Sequence, residues 1–286
     1  MQNHQKTDLY QPETIAHSLA ILAELGSRGA VMAGGTWIMR APLRNEALAQ
    51  AYVTIARIPE LHQVVVNDTH VTIGSGVTHA QLARDLQAVP QLGGLMAAAG
   101  DSANPAVRQA ATVGGNLCAV GFSAADIVPA LLCQDAEVEL ETLEGGRRRM
   151  GLAAFLKNWD TLRPTSLLLH VLVPRRHAIS AHARLPLRKA GDYPVAIVSV
   201  SVERRQDGSI GNAAVGIGSV EAAVRRWSSL EEAISGLPFN SPLIQQYASD
   251  RASEFVGREG PEVPGWYRVH VLPALVRRAF EKLQKH

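Results

Sequence analysis

The sequence predicts an α+β protein of two domains, and three observations support this. The chain has 286 residues, which at roughly 100 to 200 residues per domain suggests about two domains. Beyond the basic stretch Arg175-Arg176-His177, a run of strand patterns precedes a run of helical patterns. The dinucleotide-binding pattern GxGxxG and the Walker pattern are both absent, since GSGVTH at 74–79 lacks the third glycine. We therefore predict domains at 1–175, subdivided near residue 57, and at 176–286.

The composition is that of a folded protein without a strong electrostatic preference. Hydrophobic residues make up 47% and charged residues 19%, and 28 basic residues face 26 acidic ones for a net charge of +2. This balance argues against a nucleic-acid or membrane-surface partner. No signal-like or membrane-spanning apolar segment is evident, so we expect a cytoplasmic protein without a membrane span. Cys118 and Cys133 have no CxxC spacing, so we expect no metal in this chain.

The first domain is predicted to mix short strands with helices. The helix at 12–25 has apolar residues at helical spacing and ends at Gly26, and the strands are short apolar or alternating segments between turn residues. In chain order, the predicted elements are a helix at 12–25, strands at 30–33, 51–56, 62–67 and 70–76, helices at 79–89 and 93–101, a loop at 102–109, a buried loop and helix within 110–133, a hairpin turning at 145–146, a short helix at 152–159 and a strand at 166–174.

The second domain is predicted to place strands before helices, the order typical of an α+β domain. Predicted strands lie at 182–189, 195–205 and 209–220, and predicted helices lie at 228–236, 241–256 and 265–284. The final helix is expected to bury one apolar face, composed of Trp266, Val269, Leu272, Leu275, Val276 and Phe280.

Two glycine pairs carry the main indication of a ligand. Gly34-Gly35 is followed by Thr36, and Gly114-Gly115 lies between Thr112 and Asn116. Adjacent glycines allow successive backbone N–H groups to point into one concavity, where an anion can approach the main chain without a lysine. A tight turn is the alternative for each pair taken alone. Two such pairs with polar neighbours favour a ligand that bears a pyrophosphate group.

Asp126 is the only charged residue between 110 and 133. A buried carboxylate must find donors, which could be an arginine, the amides at the start of a helix, or a ligand. The plain interpretation is a negative charge at a helix start, and ligand binding is the main alternative. No catalytic residue is predicted, because nucleophile motifs such as GxSxG and HExxH are absent and the histidines are scattered. His170 in the strand LLLHVLV is interpreted as structural.

Five segments, taken in order, resemble one protein family. They are AGGT near residue 35, TIGSGVTHAQL at 72–82, NPAVRQAATVGGNLCAVGFSAADIVPALL at 104–132, LRKAGDYPVAIVSVSV at 187–202 and YRVHVLPALVRRAFEKL at 267–283. The chain resembles the flavin-binding (medium) subunit of the molybdenum hydroxylases, the family of xanthine dehydrogenase, aldehyde oxidoreductase and aerobic carbon monoxide dehydrogenase. The resemblance covers nearly the whole chain.

The resemblance implies a fold and a set of cofactor contacts. The fold would be α+β, with a two-part FAD-binding domain of the vanillyl-alcohol-oxidase (PCMH) type and an α+β C-terminal domain, and FAD extended between them. Both glycine loops would hold the FAD diphosphate, Asp126 would hydrogen-bond the cofactor, and further positions would lie near it or its flavin ring. The implied contacts are Val31, Met32, Ala33, Gly34, Gly35, Thr36, Trp37, Ile38, Ser102, Ala111, Thr112, Gly114, Gly115, Asn116, Asp126, Leu168 or Leu169, Lys189, Asp192 and Tyr193.

The role that the resemblance implies is electron transfer. A large partner subunit would carry a molybdopterin cofactor, a small one would carry two [2Fe–2S] clusters, and FAD here would pass electrons to oxygen, NAD, or a quinone or carrier protein. A heterotrimer or a dimer of heterotrimers is expected. A flavin-free scaffold subunit and a stand-alone flavin oxidase are the alternatives. Trp37 and Phe122 depart from the residues common in the family and could alter the cofactor contacts.

Overall fold

Short strands and helices follow one another along the part of the chain that the computed structural model describes, residues 7–188 and 192–284. Lys189, a predicted cofactor contact, lies outside the described residues. The strands in chain order are β1 Asp8–Tyr10, β2 Gly29–Met32, β3 Ala51–Thr54, β4 Val64–Val66, β5 His70–Gly74, β6 Glu137–Thr142, β7 Arg147–Gly151, β8 Ser166–Pro174, β9 Ala178–Pro186, β10 Pro194–Arg204, β11 Ile210–Gly218 and β12 Arg225–Arg226. The α-helices are α1 Ile15–Leu25, α2 His79–Asp85, α3 Gly93–Asp101, α4 Pro105–Ala110, α5 Val113–Cys118, α6 Ile127–Cys133, α7 Leu152–Leu162, α8 Ser228–Ile234, α9 Leu243–Arg251, α10 Gly265–His270 and α11 Leu272–Leu283.

The chain divides into two compact units, each assembled from separated segments. The first contains Met1–His79, Gln109–Ala119 and Glu137–Val173, and the second contains Ala80–Arg108, Val120–Ala136 and Pro174–His286. The predicted α+β class is confirmed by this mixture of helices and sheets. The predicted division at 175/176 stays a prediction, since it concerns contiguous domains rather than these interleaved units.

The first unit contains two sheets. Strands β1, β3 and β2 form a parallel sheet in that order, and β4, β5, β8, β6 and β7 form a five-stranded sheet. Helix α1 begins at Thr14, whose side chain accepts a hydrogen bond from the N–H of His17, and it ends at Gly26 with a φ of 53°. A hydrophobic cluster that includes Ile15, Ile58 and Leu169 packs with Val31 and Ala33, which fixes the end of β2. The first glycine loop therefore leaves a well-packed strand.

The second unit is built on an antiparallel sheet in the order β12, β11, β10, β9. Strand β10 is buried on both faces over most of its length, which explains its continuous apolar run. Helices α8, α9 and α11 contribute to the hydrophobic core with β10 and β11, and Trp227 and Phe280 are among its largest fully buried side chains. Every residue of α6 is buried as well. A fully buried helix explains the uncharged run near residue 130 without a membrane.

Three predicted boundaries were wrong, for local reasons. The loop predicted at 102–109 contains α4, which begins at Pro105, a residue well suited to a first helical turn. The buried loop around the second glycine pair is helix α5, which begins after Thr112. The predicted helix at 265–284 divides at Val271, just before Pro273. Trp266 is 68% exposed and does not belong to the buried face of that helix.

Candidate functional site

The first glycine loop follows β2 directly and leaves three consecutive amides available. Gly35 has a φ of 69°, in the left-handed region that side-chain-bearing residues adopt at a cost. Its carbonyl accepts the N–H of Met39, which starts the short helix Ile38–Arg44. Within the described residues, the N–H groups of Gly34, Gly35 and Thr36 donate to no protein acceptor. A row of free amides at a turn of this kind can bind an anion.

The two glycine loops lie against each other in the first unit. A Cβ built on Gly34 would lie 1.7 Å from the carbonyl oxygen of Ala110, so only glycine permits this approach. A Cβ built on Gly115 would lie 3.8 Å from the Cβ of Ala33, which is van der Waals contact. The structure therefore brings together the sequence-distant segments 31–38 and 111–116.

The second glycine loop has no such row of free amides. The N–H of Val113 donates to the carbonyl of Val77 at 2.9 Å, and the N–H of Gly114 donates to that of Ser75 at 2.8 Å. The N–H of Gly115 donates to Oγ1 of Thr112 at 3.0 Å, which caps helix α5. The N–H of Asn116 donates to the carbonyl of Thr112 at 2.9 Å. The expectation of free amides is wrong for this loop, because a helix start and a neighbouring strand end use them.

Close packing also explains the glycine at position 114. A Cβ built there would lie 2.7 Å from the Cβ of Ser75 and 2.8 Å from its carbonyl oxygen. The adjoining segment is tied to the loop by the N–H of His79, which donates to the carbonyl of Ala111, and by a bridge between Thr78 and Thr112. The second loop is thus fixed by its surroundings and supports the first.

Two buried polar atoms near the second loop lack hydrogen-bond partners. Among the described residues, Oγ of Ser75 and Oδ1 of Asn116 are buried with no partner in the protein. Leaving such groups unpaired is costly, so their presence beside a row of free amides indicates a polar ligand. The hydroxyl of Ser75 and the amides of the first loop are donors, as the oxygen atoms of a diphosphate require. The residues present fit the diphosphate of FAD.

Trp37 is held by an arginine. The guanidinium carbon of Arg44 lies 3.8 Å from the centre of the Trp37 ring, and Nη1 of Arg44 donates to the Trp37 carbonyl at 3.1 Å. Both residues belong to the segment that follows the first glycine loop. This stacking gives the unusual tryptophan a structural role beside the free amides.

Asp126 belongs to the second unit and is 4% exposed. Its Oδ1 accepts a hydrogen bond from Nε of Arg184 at 2.9 Å, and Nε2 of His182 lies 3.5 Å away. Although Asp126 immediately precedes α6, its side chain makes no capping hydrogen bond. Asp126 thus occupies the helix start that the plain interpretation gave it, and the arginine is the donor that the buried carboxylate requires.

Arg184 is the site residue that the sequence analysis missed. Besides Asp126, it donates from Nη2 to the carbonyl of Asp192 at 2.8 Å and from Nη1 to that of Asp101 at 3.1 Å. It thereby connects the start of α6 to the segment that leads into Tyr193. An arginine at an inward position of a strand, in HARLP, was the available signal.

The remaining predicted contacts have ordinary structural surroundings. Oγ of Ser102 donates to the carbonyl of Ala99 at 2.9 Å, at the end of α3. Tyr193 is 41% exposed and meets Phe122 edge to face, with ring centres 5.8 Å apart. Leu168 and Leu169 are buried in β8. The cofactor roles of all the predicted site residues, from Val31 to Tyr193, stay predictions.

His170, the histidine singled out in the sequence, has a structural partner. Nδ1 of His170 lies 3.1 Å from Glu139, within an ion cluster on the five-stranded sheet. Burial tends to raise the pKa of Glu139, but hydrogen bonds from Arg149 and His170 bring it below its ordinary value. In residues 7–188 and 192–284, no group of three potential metal ligands occurs. None of the helices described there has the length and apolarity to span a bilayer.

Comparisons with known proteins identify the two parts of the chain. A family described as "FAD binding domain in molybdopterin dehydrogenase" matches residues 5–176, and one described as "CO dehydrogenase flavoprotein C-terminal domain" matches residues 182–283. The chain is 29% identical over 284 residues to the 6-hydroxypseudooxynicotine dehydrogenase complex subunit alpha of Paenarthrobacter nicotinovorans, covering 96% of this chain and 93% of that protein. It is 27% identical over 281 residues to the carbon monoxide dehydrogenase medium chain of Afipia carboxidovorans, covering 96% of each.

A solved structure shows the same fold. A chain of the carbon monoxide dehydrogenase from Hydrogenophaga pseudoflava that lacks the Mo-pyranopterin moiety superposes with a TM-score of 0.88 at 24% identity, over 98% of both chains. The predicted fold, an FAD-binding domain followed by an α+β flavoprotein domain, is confirmed.

Proposed function

Because this chain belongs to the family of FAD-binding (medium) subunits of the molybdenum hydroxylases, we propose that it transfers electrons between partner subunits and a terminal acceptor. Membership makes it an oxidoreductase subunit with FAD as its cofactor. The observation that carries the proposal furthest is the row of free amides at Gly34, Gly35 and Thr36.

These amides and the unpaired hydroxyl of Ser75 would hold the FAD diphosphate. Backbone donors suit this task because they are fixed before the ligand arrives and carry no counter-charge. The second glycine loop would contribute through the side chains of Thr112 and Asn116, and through its support of the first loop. Leu169 lies in the cluster that packs with Val31 and Ala33, which holds the loop in place.

Asp126 would contact the cofactor, with Arg184 as its positioning residue. The ion pair orients the buried carboxylate, and the hydrogen bond from Arg184 to the Asp192 carbonyl fixes the segment before Tyr193. Lys189, Asp192 and Tyr193 remain the proposed residues near the flavin ring, with Ser102 as a further contact. The domain division proposed at 175/176 would leave Ser102 and Asp126 in the first domain with the glycine loops, and Lys189, Asp192 and Tyr193 in the second.

FAD, when bound, supplies chemistry that couples one-electron and two-electron partners. We propose that the electrons arrive from [2Fe–2S] clusters in a small subunit, which receives them from a large molybdopterin subunit. Oxygen, NAD, or a quinone or carrier protein would accept them. Relatives named as the alpha subunit of a complex and as a medium chain support an assembly of several subunits. A heterotrimer or a dimer of heterotrimers is the proposed state.

The experiment that tests this function is purification of the chain with whatever accompanies it. Flavin, iron and molybdenum are measured on the same sample, and reduction of the flavin is followed after substrate is added to the complex. We expect one FAD per chain, with iron and molybdenum only when partners co-purify. A colourless chain in an iron- and molybdenum-containing complex would favour the flavin-free scaffold. A flavin that is reduced by substrate in the isolated chain would favour the stand-alone oxidase.

A further inference from the structure

Two arginines of the second unit converge on a single residue far from the predicted cofactor contacts in sequence. Arg268, on α10, is 3% exposed, and its Nη1 donates to the carbonyls of Val195 at 2.8 Å and Ser219 at 3.3 Å. Arg258 donates from Nε to the same Ser219 carbonyl at 3.0 Å and from Nη2 to Oγ of Ser219 at 3.2 Å. We call Arg258 and Arg268 the arginine pair. Carbonyl and hydroxyl oxygens orient both guanidinium groups but bring no negative charge.

The remaining nitrogens of the arginine pair flank one point in space. A Cβ built on Gly260 would lie 3.6 Å from Nη2 of Arg268, 3.9 Å from Nη1 of Arg258 and 3.8 Å from the carbonyl oxygen of Val263. Within the described residues, neither nitrogen donates a hydrogen bond to the protein. Neither arginine forms an ion pair there with a carboxylate within 4.0 Å. Two cationic donors thus face a position that the absence of a side chain at Gly260 leaves open.

Two carboxylates, those of Glu259 and Glu262, act on the charge of the arginine pair without forming an ion pair with it in the described residues. Burial lowers the pKa of Arg258 from its ordinary value, and the positive charge of Arg268 lowers it further, whereas Glu262 acts in the opposite direction. Burial also lowers the pKa of Arg268, against opposing effects of Glu262 and Glu259. The carboxylate of Glu259 accepts the N–H of Gly265 at 3.1 Å. Both arginines stay protonated at neutral pH because arginine starts from so high a pKa.

We propose that the arginine pair binds a small oxyanion, such as phosphate or a carboxylate, at the position beside Gly260. Two guanidinium groups held by other contacts are suited to this ligand, because charge-assisted N–H donors match oxyanion geometry and their order is already established. The anion would relieve the repulsion between the two cations. The donors of this site are not among the predicted FAD contacts.

The test is calorimetric titration of inorganic phosphate into the FAD-saturated chain, with ionic strength held constant by sodium chloride. Saturation with FAD fills the diphosphate site, so it cannot bind the added phosphate. We expect one saturable phosphate site in the wild-type chain. In Gly260→Ala the new methyl group makes only ordinary contacts with the protein but occupies the anion position, so affinity falls about tenfold or more. Gly151→Ala, whose Cβ meets nothing within 4 Å, is the matched control and should bind as wild type.

A second variant makes the test independent of any change at Gly260. Glu262 is exposed, and Glu262→Gln removes a negative charge that opposes the anion, so phosphate should bind about two- to fivefold more tightly. Absence of saturable phosphate binding to the wild-type chain, or wild-type affinity in Gly260→Ala, would overturn the proposal.

Discussion

The two glycine loops look alike in sequence but differ in what their amides do. The first loop leaves β2 through a left-handed glycine and keeps three N–H groups free, whereas the second begins a helix and uses its N–H groups inside the protein. The same dipeptide therefore leaves its backbone N–H groups free in one loop and hydrogen-bonded within the protein in the other. A glycine pair becomes informative about a ligand only when the partners of its backbone groups are known.

The largest expected effect tests what the two loops share, which is tight packing. Gly34→Ala would drive a methyl group against the Ala110 carbonyl, and Gly114→Ala would drive one against Ser75, so each should lower the free energy of unfolding by about 3 kcal/mol. Urea unfolding of the FAD-free chain measures this cost without the cofactor. Gly151→Ala serves as the control and should stay within about 0.5 kcal/mol of wild type. Wild-type stability in Gly34→Ala would show that the loops can separate freely, and in Gly114→Ala it would show that the second loop can move away from Ser75.

The next effect separates the loops by their role in binding. Gly35→Ala places a side chain at a φ of 69°, and relief of that strain should move the free amides and weaken FAD binding about tenfold. Gly208→Ala introduces comparable strain at a φ of 83° in the β10–β11 hairpin, where a Cβ meets nothing. Flavin fluorescence titration should find weaker binding in the first variant alone. Equal affinities would mean that the first loop offers no special contact.

A smaller effect is expected when the N-cap of helix α5, Thr112 in the second loop, is replaced. Thr112→Val removes the acceptor for the N–H of Gly115, so the free energy of unfolding should fall by about 1 kcal/mol. FAD affinity should fall only about threefold, because one hydroxyl hydrogen is lost as a possible donor. Thermal unfolding and fluorescence titration of the same sample give both values. A loss of affinity as large as that in Gly35→Ala would make the loops equal partners and break the comparison.

The smallest effect concerns the unpaired hydroxyl. Ser75→Ala removes a buried polar atom that has no partner in the protein, so the FAD-free chain should be as stable as wild type or slightly more stable. The affinity of the variant for FAD should fall about twofold, since one donor to the diphosphate is missing. Comparison of melting temperatures with and without FAD measures this opposite response. A stability loss without FAD would assign the hydroxyl a structural role instead.

Much of the fold was predictable because apolar spacing and turn residues are local signals. The strand 166–174 and the hairpin at 145–146 lie where the sequence placed them, and the first helix ends before Gly26 as predicted but begins at Ile15 rather than at residue 12. Helices α4 and α5 were missed because tertiary contacts, rather than a long amphipathic pattern, stabilise such short helices. The sequence predicted that two glycine loops form part of the candidate site. It did not predict which of their backbone N–H groups are hydrogen-bonded within the protein. Arg184 became visible only through Asp126, which is distant in sequence, and Ser75 only through the lack of a partner for its buried hydroxyl.

The complete burial of α6 limits how this protein can be divided in the laboratory. The helix lies near the middle of the chain, yet it packs in the second unit with β10 and β11, which come much later. A fragment that stops at Val173 would carry α6 without those strands and expose an apolar surface. Such a fragment should aggregate when expressed alone and become soluble when the remainder of the chain is co-expressed. We expect nascent chains to face the same exposure until β11 has been synthesised.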